Sequence, residues 1–321
     1  MPLSLRYFCV YIFVAIAYLL PSFVLGDIDT ELHILKSLKL PVLLTALLVG
    51  FAIACASAAL QVVLNNPLAD PGIIGVSSGA SLMAAIFLFL FSSLGVFTQI
   101  DIATNSMYWM PLFCFLGACV SGLLIYILAK KIGRSTSSFV LAGIAISTLF
   151  SALIAWLYLI APPQALQSLT FWLMGSLAYT NVNSLAVVAP IIIVASLALL
   201  GLATKINALY LGTSEAVLAG IDAKALHGRV FLLVALLVGV SVSIAGSVAF
   251  LGLLVPHSIR RLHGHDNQTV LLCSGILGAI VLTLCAFLNE YLFSTHVPLS
   301  LLTASLGAPV FLYLLFSTAK R

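Results

Sequence analysis

Apolar segments of about twenty residues, the length at which a helix crosses a bilayer, alternate with short polar connections along the chain. This pattern predicts an all-α membrane protein with ten spanning helices. The predicted spans are 5–26, 41–64, 75–97, 109–129, 139–160, 184–203, 230–247, 250–262, 270–292 and 299–316. The eighth span is predicted to be short and irregular, because Gly252 and Pro256 interrupt its apolar run.

Two segments have competing interpretations. Residues 5–26 have a single positive charge near their start, Arg6, as a cleaved signal peptide would. The segment is long for such a peptide and has no A-x-A-like site, so we interpret it as a retained first helix. Residues 164–183 contain the apolar group 171–174, which is too short to span and predicts a helix lying on the membrane surface.

The densest group of turn residues lies at 65–80, between the second and third spans. Pro67 and Pro71 cannot continue a helix, because proline lacks an N–H and restricts the residue before it. The stretch is either an ordinary connecting loop or a backbone break at membrane depth, which is tolerated where protein buries it. Gly75 and Gly79 give a face of small residues for close helix packing, as do residues 52–59 in the second span.

The composition indicates the class of protein, and the distribution of charge indicates how the predicted helices are oriented in the membrane. The chain is 63% hydrophobic and 7% charged, whereas soluble domains carry about 25% charged residues, so we interpret residues 1–321 as one membrane domain. With ten spans, one side receives most of the basic residues and is therefore cytoplasmic, as are both termini. Those basic groups are Arg6, residues 130–134, 205–229, 260–261 and 320–321. The other side receives Asp27, Asp29, Glu31 and Asp101, with Lys36 and Lys39 as basic exceptions.

The sequence contains no catalytic motif. It has no G-x-x-x-x-G-K-[ST] for ATP hydrolysis and no H-E-x-x-H. It has no basic patch with interleaved aromatics, so no nucleic-acid partner is expected. His263 and His265 are spaced as H-x-H in a basic loop, and we predict no metal site and no cofactor in this chain. Ionisable residues are scarce within the spans, whereas secondary transporters usually depend on them, which favours a conduit driven by a partner.

The connection 205–229 is the longest polar one, and its middle reads as a short helix. Thr213 or Ser214 is predicted to cap the N-terminus of this helix, and Gly220 to end it. A short helix on a basic loop is suited to docking on a partner and transmitting a rigid-body shift.

Six motifs, in order along most of the chain, resemble the FecCD-type (type II) permease family of ABC importers for ferric siderophores, haem or cobalamin. They are ALQ at 59–61, NPLADPGIIG at 66–75, LAG at 141–143, WLMG at 172–175, AGSVAFLGLLVPH at 245–257 and TASLGAPVF at 303–311. The resemblance implies a bacterial inner-membrane permease that is not itself an enzyme. Its implied partners are an ABC ATPase that binds ATP and Mg²⁺, a periplasmic binding protein, and a second permease subunit in a homodimer or paralogous heterodimer.

The resemblance also implies roles for particular residues. The cytoplasmic gate would comprise Asn66, Leu68, Thr136 and Ser137, the last two being alternatively N-capping residues of the fifth helix. ATPase coupling would involve Gly212, Thr213, Ser214, Glu215, Ala216, Leu218 and Gly220.

Docking of the binding protein would use Lys36 and Lys39, and Lys39 occupies one of the positions where the family commonly has Arg. Val42 and Asn289 replace further docking residues, and Cys285 lies near the place of the family's usual Asp in the ninth helix. Arg pairs with carboxylates in a bidentate manner that Lys lacks, so the docking is predicted to differ in detail.

The sequence therefore predicts the permease subunit of an importer for a ferric siderophore. Haem and cobalamin are the alternative substrates. A self-sufficient secondary transporter or channel is the alternative of another class, and a membrane scaffold without transport is a third.

Overall fold

The computed structural model describes residues 3–20, 33–72, 74–93, 102–133, 135–178, 180 and 182–319, which form thirteen α-helices and no β-strand. A π-helical turn, Leu35–Lys39, leads directly into α2. The helices are α1 Leu3–Leu19, α2 Leu40–Val63, α3 Val76–Ser93, α4 Ile102–Ile132, α5 Thr136–Ile160, α6 Pro163–Met174, α7 Val182–Gly201, α8 Ala203–Leu211, α9 Thr213–Leu218, α10 Ala223–Ala245, α11 Leu251–His263, α12 Asn267–Tyr291 and α13 Leu299–Ala319.

Among the described residues, six helical segments are long and apolar enough to cross a membrane. They are Leu35–Val63, Trp109–Ile132, Thr136–Ile160, Val182–Gly201, Ala223–Ala245 and Asn267–Tyr291. Shorter apolar helices coincide with the predicted first, third and tenth spans. The predicted class is confirmed, whereas the number of ten spans and the side on which the termini lie stay predictions.

The fold is built around α2, most of whose residues are buried. Its neighbours include α7, α8, α10, α11 and α12. Ala52, Ala56 and Ala59 are fully buried, which confirms that the small residues at 52–59 serve close packing.

Two glycine pairs allow close helix crossings. A Cβ on Gly50 of α2 would lie 2.8 Å from the Cα of Ala279 in α12 and against the carbonyl of Gly278, so the two backbones touch. In the same way a Cβ on Gly79 would meet the backbone of Gly117 in α4. The predicted small-residue face at the start of the third span is therefore confirmed.

The eighth predicted element is a regular helix, α11, so its predicted irregularity is wrong. Only its start is unusual, since Phe250 has a φ of 63°. Pro256 has no N–H to give to the carbonyl of Gly252, one turn earlier. The side-chain amide of Gln61 in α2 donates to that carbonyl at 3.4 Å. A polar side chain from another helix thus compensates the proline, and α11 continues through it.

The bundle has two distinguishable ends. At the first, called here the basic end, Tyr7 Oη lies 2.8 Å from His263 Nε2 and Lys130 and Lys131 are exposed. At the opposite end, Tyr291 Oη donates to Tyr18 O at 2.9 Å. The predicted positions of Asp27, Asp29, Glu31, Asp101 and Arg134 lie outside the described residues.

Candidate functional site

The turn-rich stretch forms a non-helical loop at the basic end, called here loop 64–75, of which the structure describes residues 64–72, 74 and 75. Asn65 adopts a φ of 44°, which Asn tolerates better than most residues. Asn66 Oδ1 then accepts the N–H of Leu68 at 2.9 Å, and the carbonyl of Asn66 accepts the N–H of Ala69 at 3.1 Å. These bonds hold Leu68 outward, with 42% of its surface exposed.

Asp70 fixes the inner side of this loop. Its Oδ1 accepts the N–H of Gly72 at 2.7 Å, and its Oδ2 lies against Gly252 at the start of α11. Burial raises the pKa of the Asp70 carboxyl, and the hydrogen bond from Gly72 opposes that change. The loop is therefore anchored to α11 on one side while Leu68 stays accessible on the other.

The second predicted gate segment, Thr136 and Ser137, begins α5, but neither residue caps the helix. The N-cap is Ser135, whose side chain accepts the N–H of Ser138, so neither Thr136 nor Ser137 is the capping residue. Thr136 Oγ1 instead donates to Val63 O at 3.2 Å, joining α5 to the end of α2. Ser137 is exposed. Thr136 is thus brought beside loop 64–75.

The predicted coupling region forms two helices, α8 and α9, separated by Gly212. Gly212 has a φ of 141° and occupies the N-cap of α9 without a side-chain cap, so the predicted capping by Thr213 or Ser214 is wrong. Gly220, with a φ of 74°, ends the helix as predicted and donates its N–H to Val217 O. Ala216 is the buried anchor of α9, while Thr213, Ser214 and Glu215 are exposed.

A hydrogen-bonded network that the sequence did not reveal links α8 to α2. Asn207 Oδ1 accepts the N–H and the side-chain amide of Asn267 at 2.7 and 2.9 Å, and its Nδ2 donates to Asp266. Arg260 donates to Asn267 Oδ1 at 3.1 Å and to Ala58 O at 2.7 Å. The bond from Asn207 is the main cause that lowers the pKa of Asp266. The segment carrying α9 is thereby tied to the helix that carries loop 64–75.

The two docking lysines have different environments. Lys36 is exposed, whereas Lys39 is only 9% exposed. Lys39 Nζ donates to Tyr291 Oη at 3.0 Å and lies 3.9 Å from a carboxylate oxygen of Glu290. Asn289 bonds in both directions to the backbone of Val297 and so fixes the α12–α13 connection. Of the two lysines, only Lys36 is accessible at this end; their predicted docking role stays a prediction.

The structure thus has apolar helices packed around a buried α2, and a helical break and a short exposed helix at the basic end, which is the architecture of a multi-pass membrane protein. The sequence profile of the FecCD transport family matches residues 3–317, and the chain belongs to that family. It is thus a type II ABC importer permease, a class of subunits that are not themselves enzymes, and a multi-pass protein of the bacterial inner membrane.

Relatives cover most of the chain. The vitamin B12 import system permease BtuC of Vibrio cholerae is 37% identical over 290 residues, covering 89% of this chain and 83% of the relative. The iron(3+)-hydroxamate import system permease FhuG of Bacillus subtilis is 34% identical over 284 residues, covering 88% and 83%. The solved structure of a protein assigned as a metal-chelate type ABC transporter, in an inward-facing conformation, superposes with a TM-score of 0.87 at 30% identity and covers 98% of both chains.

Proposed function

We propose that this chain is the permease subunit of an ATP-driven importer that moves a ferric siderophore into the cytoplasm. The basic end would face the cytoplasm, with both termini on that side. ATP and Mg²⁺ would be bound by an ABC ATPase docked at α9, and a periplasmic binding protein would deliver the substrate at the opposite end. Cobalamin and haem are the alternative substrates.

The observation that carries the proposal is the exposed apolar surface of α9. Leu218 is 87% exposed, Val217 62% and Leu211, at the end of α8, 75%. Large apolar side chains exposed together at a charged end of a membrane protein indicate a protein partner. Ala216 is buried beneath them, so a force applied to α9 is passed to the bundle. This supports α9 as the ATPase-coupling helix.

A second permease subunit is proposed to pack on α5. Among the six membrane-crossing segments, α5 has the smallest share of its length buried. Leu141, Leu153 and Trp156 are all exposed on it, and its first residue, Thr136, contacts the end of α2. A partner on this helix would place two copies of loop 64–75 near one path between the subunits.

The choice of a ferric siderophore rests on the relatives that carry iron hydroxamates or metal chelates. It is tested in a strain lacking the chain, by measuring uptake of ⁵⁵Fe-siderophores, labelled cobalamin and haemin before and after complementation. We expect restoration of siderophore uptake alone. Restoration of cobalamin or haem uptake instead would transfer the assignment to that substrate. Uptake that persists with an inactive partner ATPase would favour a self-sufficient transporter.

The network at Asn207 predicts a variant in which ATP hydrolysis is uncoupled from transport. Asn207→Leu keeps the number and branching of the side-chain heavy atoms and leaves α9 intact, but it deprives buried Asn267 of its acceptor, at a cost of about 1–3 kcal/mol. We expect the ATPase to remain bound and active while the substrate imported per ATP hydrolysed falls several-fold.

The measurement is uptake and ATP hydrolysis in the same proteoliposomes. Lys205→Gln, an exposed substitution on the same helix, is the matched control and should keep the ratio of the parent protein. An unchanged ratio in Asn207→Leu would show that the network is purely structural.

A further inference from the structure

A cavity of about 500 Å³ lies at the basic end between the end of α2, loop 64–75, α8 and α11. Asn65, Asn66 and Pro67 form one wall, and Tyr210 forms part of another. None of the described residues that line it is acidic. This volume is large enough for a small organic molecule and not merely for one ion.

The wall from α11 and the connection after it is strongly basic. Arg260, Arg261, His257 and His265 all line the cavity. The nearest acidic side chain in sequence, Asp266, already accepts hydrogen bonds from Asn207 and from the first turn of α12. Asp266 is thus engaged outside the cavity, and the described lining of the cavity carries basic but no acidic side chains.

Two buried polar atoms in the wall lack a partner within the described part of the chain. They are Nε2 of His257 and Oε1 of Gln61. Gln61 is only 3% exposed, and its Nε2 is committed to Gly252 O, which leaves Oε1 as an acceptor. Such an acceptor costs free energy unless a donor reaches it. A ligand that pairs with the basic wall and also with the acceptor Oε1 of Gln61 must carry a negative charge and a hydrogen-bond donor.

The site is also rigid. Arg260 is 8% exposed and is held by Ala58 O and Asn267, with its guanidinium 5.8 Å from the ring centre of Tyr210. The Tyr210 ring in turn stacks on His265 at 5.2 Å and 19°. An arginine oriented in this way, with N–H groups beyond the two engaged here, is the preferred partner of a phosphate.

We propose that this cavity binds a phosphate ester that also bears hydroxyl groups, in contact with Arg260, Arg261 and His257. The hydroxyl groups supply the donor for Gln61, and the phosphate is held by the guanidinium and imidazole groups. Glycerophosphate headgroups of the inner leaflet and soluble sugar phosphates or nucleotides share this chemistry. Because Tyr210 and Asn66 both line the cavity, the ligand bridges the segment before α9 and loop 64–75. The proposal does not depend on which substrate is transported.

The test is the thermal stability of the purified full chain in neutral detergent, titrated with glycerol 3-phosphate, AMP, phosphatidylglycerol or phosphatidylcholine. We expect a saturable rise in Tm with at least one phosphate ester that bears hydroxyl groups, and none with phosphatidylcholine. A response to phosphatidylglycerol alone identifies a lipid site, and a response to the soluble esters identifies a solute site.

Variants decide whether the cavity is responsible. Arg261→Gln with His257→Phe spares the buried arginine and should weaken binding by about tenfold or more, because a guanidinium and an imidazole that contact the phosphate are lost. Arg229→Gln, an exposed change of the same charge, should bind as the parent protein does. Equal binding by the double variant, or no binding of any phosphate ester by the parent protein, would overturn the proposal. Loss of ATPase retention in that variant without phosphate binding by the parent would assign the cavity to an acidic segment of the ATPase instead.

Discussion

Unwinding α9 by Glu215→Lys combined with Gly220→Pro is expected to abolish ATPase binding and transport while the permease still inserts. Gly220 has a φ of 74° and donates its N–H to Val217, whereas proline is fixed near −65° and has no N–H. Glu215 lies in the first turn, where a carboxylate is favourable and a lysine is not. Removing a docking element of this kind should weaken the complex at least about 30-fold.

The measurement is the amount of ATPase that co-purifies with the tagged permease, together with uptake in whole cells. Glu215→Gln with Gly220→Asn is the matched control, because Asn tolerates positive φ and Gln adds no positive charge. It should retain the ATPase. If the Lys and Pro variant retains undiminished ATPase, the coupling helix has been placed in the wrong segment.

The helical architecture was predictable because a bilayer leaves few alternatives to apolar helices. The predicted second span, 41–64, and the helix Leu40–Val63 differ by one residue at each end. The turn-rich loop was equally predictable, since Pro67 and Pro71 act through the local backbone. In both cases the residues that determine the local backbone structure lie within a few positions of the backbone that they affect.

The errors lie where distant residues decide between local options. Pro256 was expected to interrupt α11, but the helix continues. The carbonyl of Gly252 that the proline leaves unpaired is reached by Gln61, which lies 191 residues before Gly252 in sequence. Ser and Thr residues are similarly suited to the N-cap position, so the sequence does not distinguish Ser135, Thr136 and Ser137. In the structure Ser135 is the N-cap of α5, and Thr136 instead contacts Val63. The burial of Lys39 was likewise not predictable, because lysine is normally exposed, whereas here Tyr291 and Glu290 provide Lys39 with partners.

The network at Asn207 was not predictable for the same reason. In the sequence, Arg260 counted only as one of the basic residues that mark the cytoplasmic side, and Asn267 lies in the connection after it. Their burial follows from the packing of α11 and α12 against α2. The sequence shows that these side chains have several donors and acceptors, but only the structure shows which donor is bonded to which acceptor.

A carboxylate at Thr136 is the second substitution with a large expected effect. Thr136→Asp replaces the donor to Val63 O by an acceptor, so two oxygens face each other where 3.2 Å now separates a donor and an acceptor. An unsatisfied, partly buried carbonyl beside a charge should displace α5 from the end of α2 and alter the proposed gate. We expect substrate uptake to fall by about tenfold or more, with the ATPase still bound because α9 is distant in sequence and unchanged. Leu68→Asp, which places a charge on the exposed tip of loop 64–75, should reduce uptake in the same way.

Conservative variants separate a gate from a structural contact. Thr136→Ser keeps the hydroxyl donor and should transport normally. Thr136→Val loses one hydrogen bond, which is worth about 1 kcal/mol of stability, and its uptake should therefore fall only slightly. A gate predicts this graded order together with normal membrane insertion of all three variants. A membrane scaffold without transport predicts no effect on uptake from Thr136→Asp or Leu68→Asp, and that result would refute the gate. Uptake lost only in parallel with protein level would show instead that Thr136 serves the packing of α5 against α2.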